Sequence, residues 1–260
     1  MDITAKQANL PLYSLLGGLQ TENIPLYKSI TCLEPHEMAE IAQAGYRDGI
    51  RQFQVKLGAD SDWRKDVERL MAVREVVGKG PLVFGDWNCC ASQLDAVRAA
   101  REVAHLDIMI EQPCSTMESC HVVRQTTGLA MKMDESVYDI ESLLKAHQLG
   151  CMDAAALKLS KFGGISAARK ARDLCEVLGT KVVIEDTWGS DITTCALMHL
   201  ATATDTRSIM NVCNLSEYVG PRLDPNGYET SNGYARVSSR PGLGVNPNLD
   251  HLGEPLLIIQ

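Results

Sequence analysis

The feature that most constrains the fold of this chain is a repeated pair of segments, a short apolar run followed by a stretch of helical length. Three of these runs end in a carboxylate, at Asp86, Glu111 and Asp134. Strands that alternate with helices form parallel sheets, because each helix returns the chain to the same edge of the sheet. We therefore predict an α/β fold built on a parallel sheet.

The whole chain contains eight such runs with seven helical segments between them. Eight strands separated by helices favour a closed (β/α)7β barrel, a modified TIM barrel, over an open sheet. No glycine-rich dinucleotide fingerprint follows the first run, which argues against a dinucleotide-binding fold. The predicted strands are 24–30, 51–57, 81–86, 108–111, 129–134, 154–160, 181–186 and 207–213, and the predicted helices are 34–46, 63–77, 92–105, 118–125, 140–149, 165–178 and 192–203.

The two ends of the chain differ from this pattern. Residues 2–16 predict a helix that ends at a pair of glycines, so we assign 1–22 to a linker helix and 23–215 to the barrel. Beyond Val219 the chain is rich in Gly, Pro and Asn, and we predict that 216–260 forms a tail packed back on the barrel.

Composition excludes several classes of function. The net charge is −8 and there is no Lys/Arg-rich run, which argues against a nucleic-acid partner. No apolar stretch approaches the roughly 18 to 20 residues that span a bilayer, and the sequence after Met1 does not resemble a secretory leader. The nine cysteines lack Cys-x-x-Cys spacing, which indicates reduced thiols. We expect a cytoplasmic protein without a membrane or nucleic-acid partner.

The three strand-end carboxylates predict a metal site. In a parallel barrel the carboxyl ends of the strands meet at one mouth, so Asp86, Glu111 and Asp134 would converge there. Converging carboxylates repel one another unless a hard dication lies among them, and Mg²⁺ is the usual one. The alternative is that all three are turn residues after unrelated strands.

Two lysines at strand ends predict acid–base chemistry on either side of that metal. Lys56 and Lys158 lie four strands apart, hence on opposite walls of a barrel. Desolvation and a nearby dication can lower the pKa of a lysine from roughly 10.4 toward about 7 to 8. Such a pair suits removal of a proton α to a carboxylate through an enediolate, with the metal holding a small carboxylate substrate. Alternatively, both side chains extend to solvent from strand ends.

Other polar or aromatic side chains near the strand ends are candidates for binding the substrate or supporting the metal ligands. Asn88 could orient a metal-bound carboxylate or cap the next helix, and Trp188 could line the pocket, face a cation or pack internally. No histidine lies at a strand end, which disfavours a histidine-ligated zinc hydrolase. These candidates are Lys28, Asn88, Glu135, Glu185, Asp186 and Trp188, of which Lys28 is the one we interpret as structural.

The ordered set of Lys56, the three carboxylates and Lys158 resembles the enolase superfamily, in its mandelate racemase and muconate-lactonizing subgroup. The segment Leu157-Lys-Leu-Ser-Lys-Phe-Gly-Gly164 carries much of the likeness, and 10–18 and 241–244 add to it. The resemblance covers essentially the whole chain. It implies a seven-helix barrel, one Mg²⁺, lysine acid–base pairs and a homo-oligomer.

Within the subgroup, the segments Glu111–Cys114 and Glu185–Gly189 are most similar to cis-3-hydroxy-L-proline dehydratases. This likeness implies that a lysine removes the α-proton, that the 3-hydroxyl leaves, and that Glu185 or Asp186 binds the ring nitrogen. Three alternatives stay open. They are an epimerase of proline betaines or dipeptides with the same two lysines, a Schiff-base aldolase using Lys158, and a lidless, inactive barrel or fragment that serves as an assembly or binding module.

Two departures from the subgroup are expected to matter. Members usually carry Lys-x-Lys on the second strand, whereas this chain has Gln54 at the first position, so the electrostatic support of Lys56 differs. Members also carry an N-terminal α+β capping domain that closes the site. This chain begins at the helix that normally follows that domain, and we expect it to lack most of the cap.

Overall fold

The structure is a computed structural model that describes residues 1–220 and 222–258. Strands and helices alternate through most of the chain. The helices are α1 (Asp2–Gln7), α2 (Tyr13–Leu16), α3 (Pro35–Arg47), α4 (Trp63–Val77), α5 (Gln93–Val103), α6 (Met117–Thr127), α7 (Ile140–Leu149), α8 (Leu159–Phe162), α9 (Ile165–Leu178) and α10 (Asp191–Thr202). The strands are β1 (Ile24–Pro25), β2 (Lys28–Ile30), β3 (Gln52–Lys56), β4 (Leu82–Asp86), β5 (Met109–Glu111), β6 (Ala130–Met133), β7 (Ala154–Lys158), β8 (Lys181–Glu185), β9 (Ile209–Val212), β10 (Tyr228–Ser231) and β11 (Tyr234–Val237).

Eight strands form one parallel sheet in the order β2 to β9, with helices on its outer face. The sheet curls until its first and last strands meet. Leu26 forms a parallel bridge with Val212, and the Tyr27 N–H donates to the Val212 carbonyl at 3.4 Å. The Gln52 side chain donates to the Met210 carbonyl at 2.7 Å, which adds a second link on the same side. The predicted TIM-barrel-like fold is confirmed.

Most predicted helices are recovered, because most of them combine an apolar face with a polar residue at the start or a glycine at the end. Asp62 accepts a hydrogen bond from the Arg64 N–H at the start of α4, and Ser92 accepts one from the Asp95 N–H at the start of α5. Glycines in the left-handed conformation end α6, α7 and α9. The apolar faces of these helices pack on the outside of the sheet and form the main core with it.

Most boundaries differ by one or two residues, and three predicted elements are divided or change type. The helix predicted over 2–16 is two short helices, since Pro11 lies between them and cannot continue α1. The strand predicted over 24–30 is divided into β1 and β2, which join different sheets. Leu159 and Ser160, predicted as strand, begin α8, so the barrel strand β7 ends at Lys158.

The chain after the barrel returns to its outer surface. β10 and β11 form an antiparallel hairpin, and β11 pairs with β1 to complete a three-stranded sheet. Asp191 at the start of α10 accepts hydrogen bonds from the Leu223 N–H at 2.5 Å and the Asp224 N–H at 3.0 Å. Among the helices of the described residues, none combines the length and the apolar character needed to cross a membrane.

Candidate active site

Strand register brings the charged side chains together at the carboxyl end of the barrel. On four adjacent strands, Lys56 lies beside Asp86 in the strand register, Asp86 lies beside Glu111, and Glu111 lies beside Lys132. On the far wall Lys158 is the lateral partner of Glu185. Because side chains alternate along a strand, these partners all point to the barrel interior.

Four carboxylates are buried in this interior, and three of them form a tight cluster. Among the described residues, oxygens of Glu111, Asp134 and Glu185 all lie within 4.8 Å of one another. Burial and the neighbouring Asp86 carboxylate raise the pKa of Glu111 to about 8. From residues 1–220 and 222–258, the Glu111 Oε1 accepts no hydrogen bond of good geometry, although Lys132 Nζ lies 2.9 Å away. A buried carboxylate oxygen without a hydrogen bond, among hard oxygen ligands, suits a dication such as Mg²⁺.

Asp86 is placed at the edge of this cluster rather than within it. Its Oδ2 accepts hydrogen bonds from Lys56 Nζ at 2.5 Å and from Gln54 Nε2 at 3.1 Å, and its Oδ1 accepts one from the Asn88 N–H at 2.9 Å. Glu185 takes the third place in the group of close oxygens. The assignment of Asp86 as a metal ligand therefore stays a prediction.

Gln54 connects two of the carboxylates without adding charge. Its Nε2 donates to Glu111 Oε2 at 2.8 Å as well as to Asp86, and its Oε1 accepts a hydrogen bond from Ser29 Oγ at 2.8 Å. The amide therefore supports two candidate ligands through hydrogen bonds alone. A lysine at this position would add a further ammonium beside Lys56.

Lys56 and Lys158 lie on opposite sides of the carboxylates. Lys158 Nζ is 2.6 Å from Asp134 Oδ2 and 3.8 Å from Glu185 Oε1. Burial alone would lower the pKa of Lys158, but the Glu185 and Asp134 carboxylates raise it well above its ordinary value. Lys56 is affected in the same way, chiefly by Asp86, which raises its pKa. In this arrangement both ammonium groups carry a proton and can donate it.

A cavity of about 540 Å³ opens above these groups and reaches the surface of the barrel mouth. Both lysines, Asn88, Asp134 and Glu185 line it, with Trp188 exposed at the rim. The cavity is large enough for a small cyclic carboxylate, and its polar groups converge from opposite walls. Four of the residues predicted at the mouth are not among those that line it, namely Lys28, Asp86, Glu111 and Glu135.

The remaining predicted residues have partners that indicate narrower roles. Lys28 pairs with Glu217 at 2.8 Å and lines a separate groove. Glu135 accepts a hydrogen bond from Asn88 Nδ2 at 3.0 Å, so the two residues hold each other at the mouth. Asp186 lines the cavity, but its carboxylate also accepts from the Ser160 N–H at 3.0 Å and the Thr187 N–H at 2.8 Å.

Three residues that the sequence analysis missed contact the carboxylates. Lys132 Nζ lies 2.9 Å from Glu111 Oε1 and 3.3 Å from Glu185 Oε2. Lys161 Nζ lies 2.6 Å from Asp134 Oδ1, and Tyr27 Oη donates to Glu185 Oε2 at 2.6 Å. The signal for Lys132 was present, since it is a charge inside an apolar run and has the same strand parity as Asp134.

A buried cluster outside the barrel supports the strand ends that carry the site. Asp66 on α4 accepts hydrogen bonds from the Gly58 N–H at 3.0 Å and from Trp87 Nε1 at 2.9 Å. Gly58 follows Lys56 closely in the chain, and Trp87 follows Asp86. Arg69 pairs with Asp66 at 3.0 Å and donates to the Leu33 carbonyl at 2.8 Å. The loops after three neighbouring strands are thereby tied to one helix.

Comparison with known proteins agrees with this geometry. The family model described as "Enolase C-terminal domain-like" matches residues 37–251. The chain is 35% identical to cis-3-hydroxy-L-proline dehydratase of Roseibium aggregatum over 255 residues, which cover 98% of this chain and 69% of that protein. It is 29% identical to N-succinyl-L-Arg/Lys racemase of Bacillus cereus, covering 97% and 68%. A member of the enolase superfamily from Roseovarius nubinhibens, solved in complex with magnesium, superposes with a TM-score of 0.91 at 29% identity, covering 98% of this chain and 70% of that one.

Proposed function

This chain belongs to the enolase C-terminal domain-like family, and from that membership we propose that it is a Mg²⁺-dependent lyase that dehydrates cis-3-hydroxy-L-proline. The observation that carries the proposal is the placement of Lys56 and Lys158 on opposite walls of a carboxylate-lined cavity. Two acid–base groups that face each other across one substrate can act on a carbon and on its neighbour, as elimination requires.

The metal would be held by Glu111 and Asp134, with Asp86 as the third ligand. Lys56, the ion-pair partner of Asp86, is about one-third exposed and can turn away, whereas Tyr27 and Lys132 hold Glu185 from inside the barrel. When bound, the ion would neutralise the substrate carboxylate and make the α-proton more acidic.

The chain's own residues would move two protons. One of the two lysines, free of its carboxylate partner, would take the α-proton onto its Nζ. The C3–O bond would then break, and the hydroxyl would leave as water with a proton from a lysine Nζ. The electron pair of the broken C–H bond would form the C2–C3 double bond, and the resulting enamine would tautomerise to a cyclic imine. Glu185 or Asp186 would bind the ring nitrogen, and Trp188 would cover the substrate at the rim.

The test is ¹H NMR of the purified chain with Mg²⁺ in D₂O, against proline, its 3- and 4-hydroxy isomers and their betaines. The proposal expects the α-proton signal of cis-3-hydroxy-L-proline to disappear while imine resonances grow. Exchange of the α-proton without elimination would contradict it. If the chain binds Mg²⁺ but shows neither exchange nor elimination, this result would also contradict the proposal for this chain.

The assignment of the third ligand has a separate test in the calorimetric affinity for Mg²⁺. Asp86→Asn is expected to weaken Mg²⁺ binding about 100-fold or more, because a neutral amide is a poor ligand for a hard dication. Glu185→Gln is the matched control and should have a smaller effect. A larger loss in Glu185→Gln would assign the third ligand to Glu185.

A second candidate function is epimerisation with the same two lysines. The racemase among the relatives and the one-lysine-per-wall geometry both favour it. One lysine would remove the α-proton and the other would return a proton to the opposite face of the same carbon. Deuterium incorporation with inversion at Cα of a proline betaine or a dipeptide, and no loss of water, would identify this activity.

A further inference from the structure

Lys132 is an ammonium group buried beneath the candidate metal site. It lies in the middle of β6, its side chain has no solvent exposure, and it contacts both Glu111 and Glu185. The rings of Phe84 and Tyr27 flank its Nζ, with their centroids 5.0 and 5.7 Å away. A lysine is almost never fully buried unless it is paired, so this position indicates a specific electrostatic role.

The other three lysines near the carboxylates differ from Lys132 in one respect. Their side chains are 32%, 16% and 18% exposed for Lys56, Lys158 and Lys161, and each reaches its carboxylate from the barrel mouth. They can therefore turn toward solvent when their carboxylates take another partner. Lys132 has no such path, because strands and the two aromatic rings enclose it. Its charge stays beside Glu111 and Glu185 whatever else binds.

We propose that Lys132 is a permanent internal counter-ion, which holds the metal-free carboxylate cluster together and at the same time lowers its affinity for a dication. The second half of this inference rests on the proposed metal site. The first half depends only on the contacts of Lys132 with Glu111 and Glu185.

The stabilisation of the metal-free cluster and the lowered affinity for a dication both follow from the positive charge of Lys132. Without metal, the buried carboxylates repel one another, and removal of Lys132 would leave Glu111 without its ion-pair partner beside Glu185. With a dication at Glu111, the ammonium 2.9 Å from Glu111 Oε1 would repel the ion across a short path of low dielectric. One substitution should therefore change metal-free stability and metal affinity in opposite directions. A lysine that merely fills space or positions Glu111 would weaken both together.

The experiment compares Lys132→Met with the wild-type chain by thermal unfolding in EDTA and by Mg²⁺ titration calorimetry. Methionine keeps the length of the side chain and removes the charge. The Tm in EDTA should fall by about 10 °C, since loss of one partner of a buried ion pair is strongly destabilising. The Kd for Mg²⁺ should become at least about tenfold tighter.

Two further variants keep the test decisive. Lys145→Met removes an exposed ion pair with Glu118 and should change neither quantity. The double variant Lys132→Met/Glu185→Gln removes one positive and one negative charge together, and it should recover about half of the loss in Tm. It replaces the single variant in the titration if Lys132→Met is too unstable to titrate.

The outcomes separate this inference from the proposed function. Unchanged or weaker Mg²⁺ binding in Lys132→Met, or an unchanged Tm in EDTA, would overturn the inference. If the wild-type chain binds no Mg²⁺ while Lys132→Met still loses stability, the proposed metal site fails and the affinity half falls with it. The counter-ion half would then stand by itself.

Discussion

The chemistry at the barrel mouth depends on which ammonium groups can leave their carboxylates. Lys56 and Lys158 are held at 2.5 and 2.6 Å by Asp86 and Asp134, and these carboxylates raise the pKa of each lysine. Neither lysine can accept a proton while it is held in this way. In the proposed mechanism a lysine would therefore become a base only when its carboxylate turns to another cation, which would couple the proposed metal to the proposed proton transfer.

Lys158→Ala provides the sharpest test of this role. We expect the rate of α-proton exchange in D₂O to fall by about 1,000-fold or more, because general acid–base catalysis contributes on that order. Lys181→Ala is the matched control, since Lys181 lies on the next strand, β8, at its exposed amino end. Exchange that persists in Lys158→Ala but not in Lys56→Ala would transfer the role of base to Lys56.

At the scale of whole elements, α4 fixes the loops that follow two of the candidate site residues, Lys56 and Asp86. Asp66→Ala should lower the free energy of unfolding by about 3–5 kcal/mol, because the Trp87 indole, the Gly58 N–H and Arg69 lose a buried acceptor. Urea denaturation measures this loss. Asp62→Ala, which removes the exposed cap of the same helix, should cost clearly less. Equal losses in the two variants would contradict the role of Asp66.

The packing of α10 on α2 gives a dependence of stability on pH. His199 is buried and accepts a hydrogen bond from the Tyr13 N–H at 3.2 Å. Within the part of the chain that the structure describes, its Nε2 has no hydrogen-bond partner. Burial lowers the pKa of His199 to about 4. A lowered pKa in the folded state means that its stabilisation is present above the ordinary pKa of about 6.5 and is lost as the pH falls toward 4.

The lowered pKa of His199 predicts a measurable dependence of the free energy of unfolding on pH. Between pH 7 and pH 5 the His199 contribution to the free energy of unfolding should fall by about 2 kcal/mol. His199→Gln should remove that part of the slope in urea denaturation at each pH. His147→Gln, at an exposed position on α7, should keep it. An unchanged slope in His199→Gln would show that other groups cause the acid sensitivity.

Most of the helices and strands could be predicted from the sequence. Periodicity and capping residues gave most strands and helices, because barrel strands are apolar on both faces and each helix has its own start and stop signals. The predictions failed where contacts between distant segments of the chain determine the secondary structure. Ile24 and Pro25 read as the beginning of a barrel strand, but they pair with β11, a hairpin strand more than 200 residues later in the chain. No local pattern around residue 24 contains that partner.

For the candidate site, strand-end position was enough to place Lys56, Lys158, Asp134 and Glu185 around one cavity. It could not distinguish which carboxylates lie closest, because that depends on rotamers and on competing donors. Asp86 is engaged by Lys56 and Gln54, and Glu185 enters the cluster of close oxygens. The predicted ligand set and homo-oligomer stay predictions, and the Mg²⁺ titration and the mass of the purified protein in solution measure them.

At the scale of the whole molecule, one buried side chain joins the C-terminal segment to the barrel. Asp191 accepts hydrogen bonds from Ser216 Oγ, the Leu223 N–H and the Asp224 N–H, and it pairs with Arg222. Asp191→Ala should release this segment while the barrel stays folded. In limited proteolysis we expect cleavage within 216–245 to accelerate about tenfold, with fragments identified by mass. Asp205→Ala, on a loop at the other end of α10, should leave the rate unchanged; cleavage first in the barrel would contradict the prediction.

The row of paired side chains across four neighbouring strands should also affect the time course of folding. This row consists of Lys56, Asp86, Glu111 and Lys132. These residues come from four strands that span most of the first half of the chain, and the row is complete only when three neighbouring strand pairings have formed. Contacts between distant segments form slowly, since the loops between them must close first. In a refolding experiment, the recovery of Mg²⁺ binding should therefore lag behind chain collapse and helix formation. The time at which the ion is captured would mark the moment when this half of the barrel is assembled.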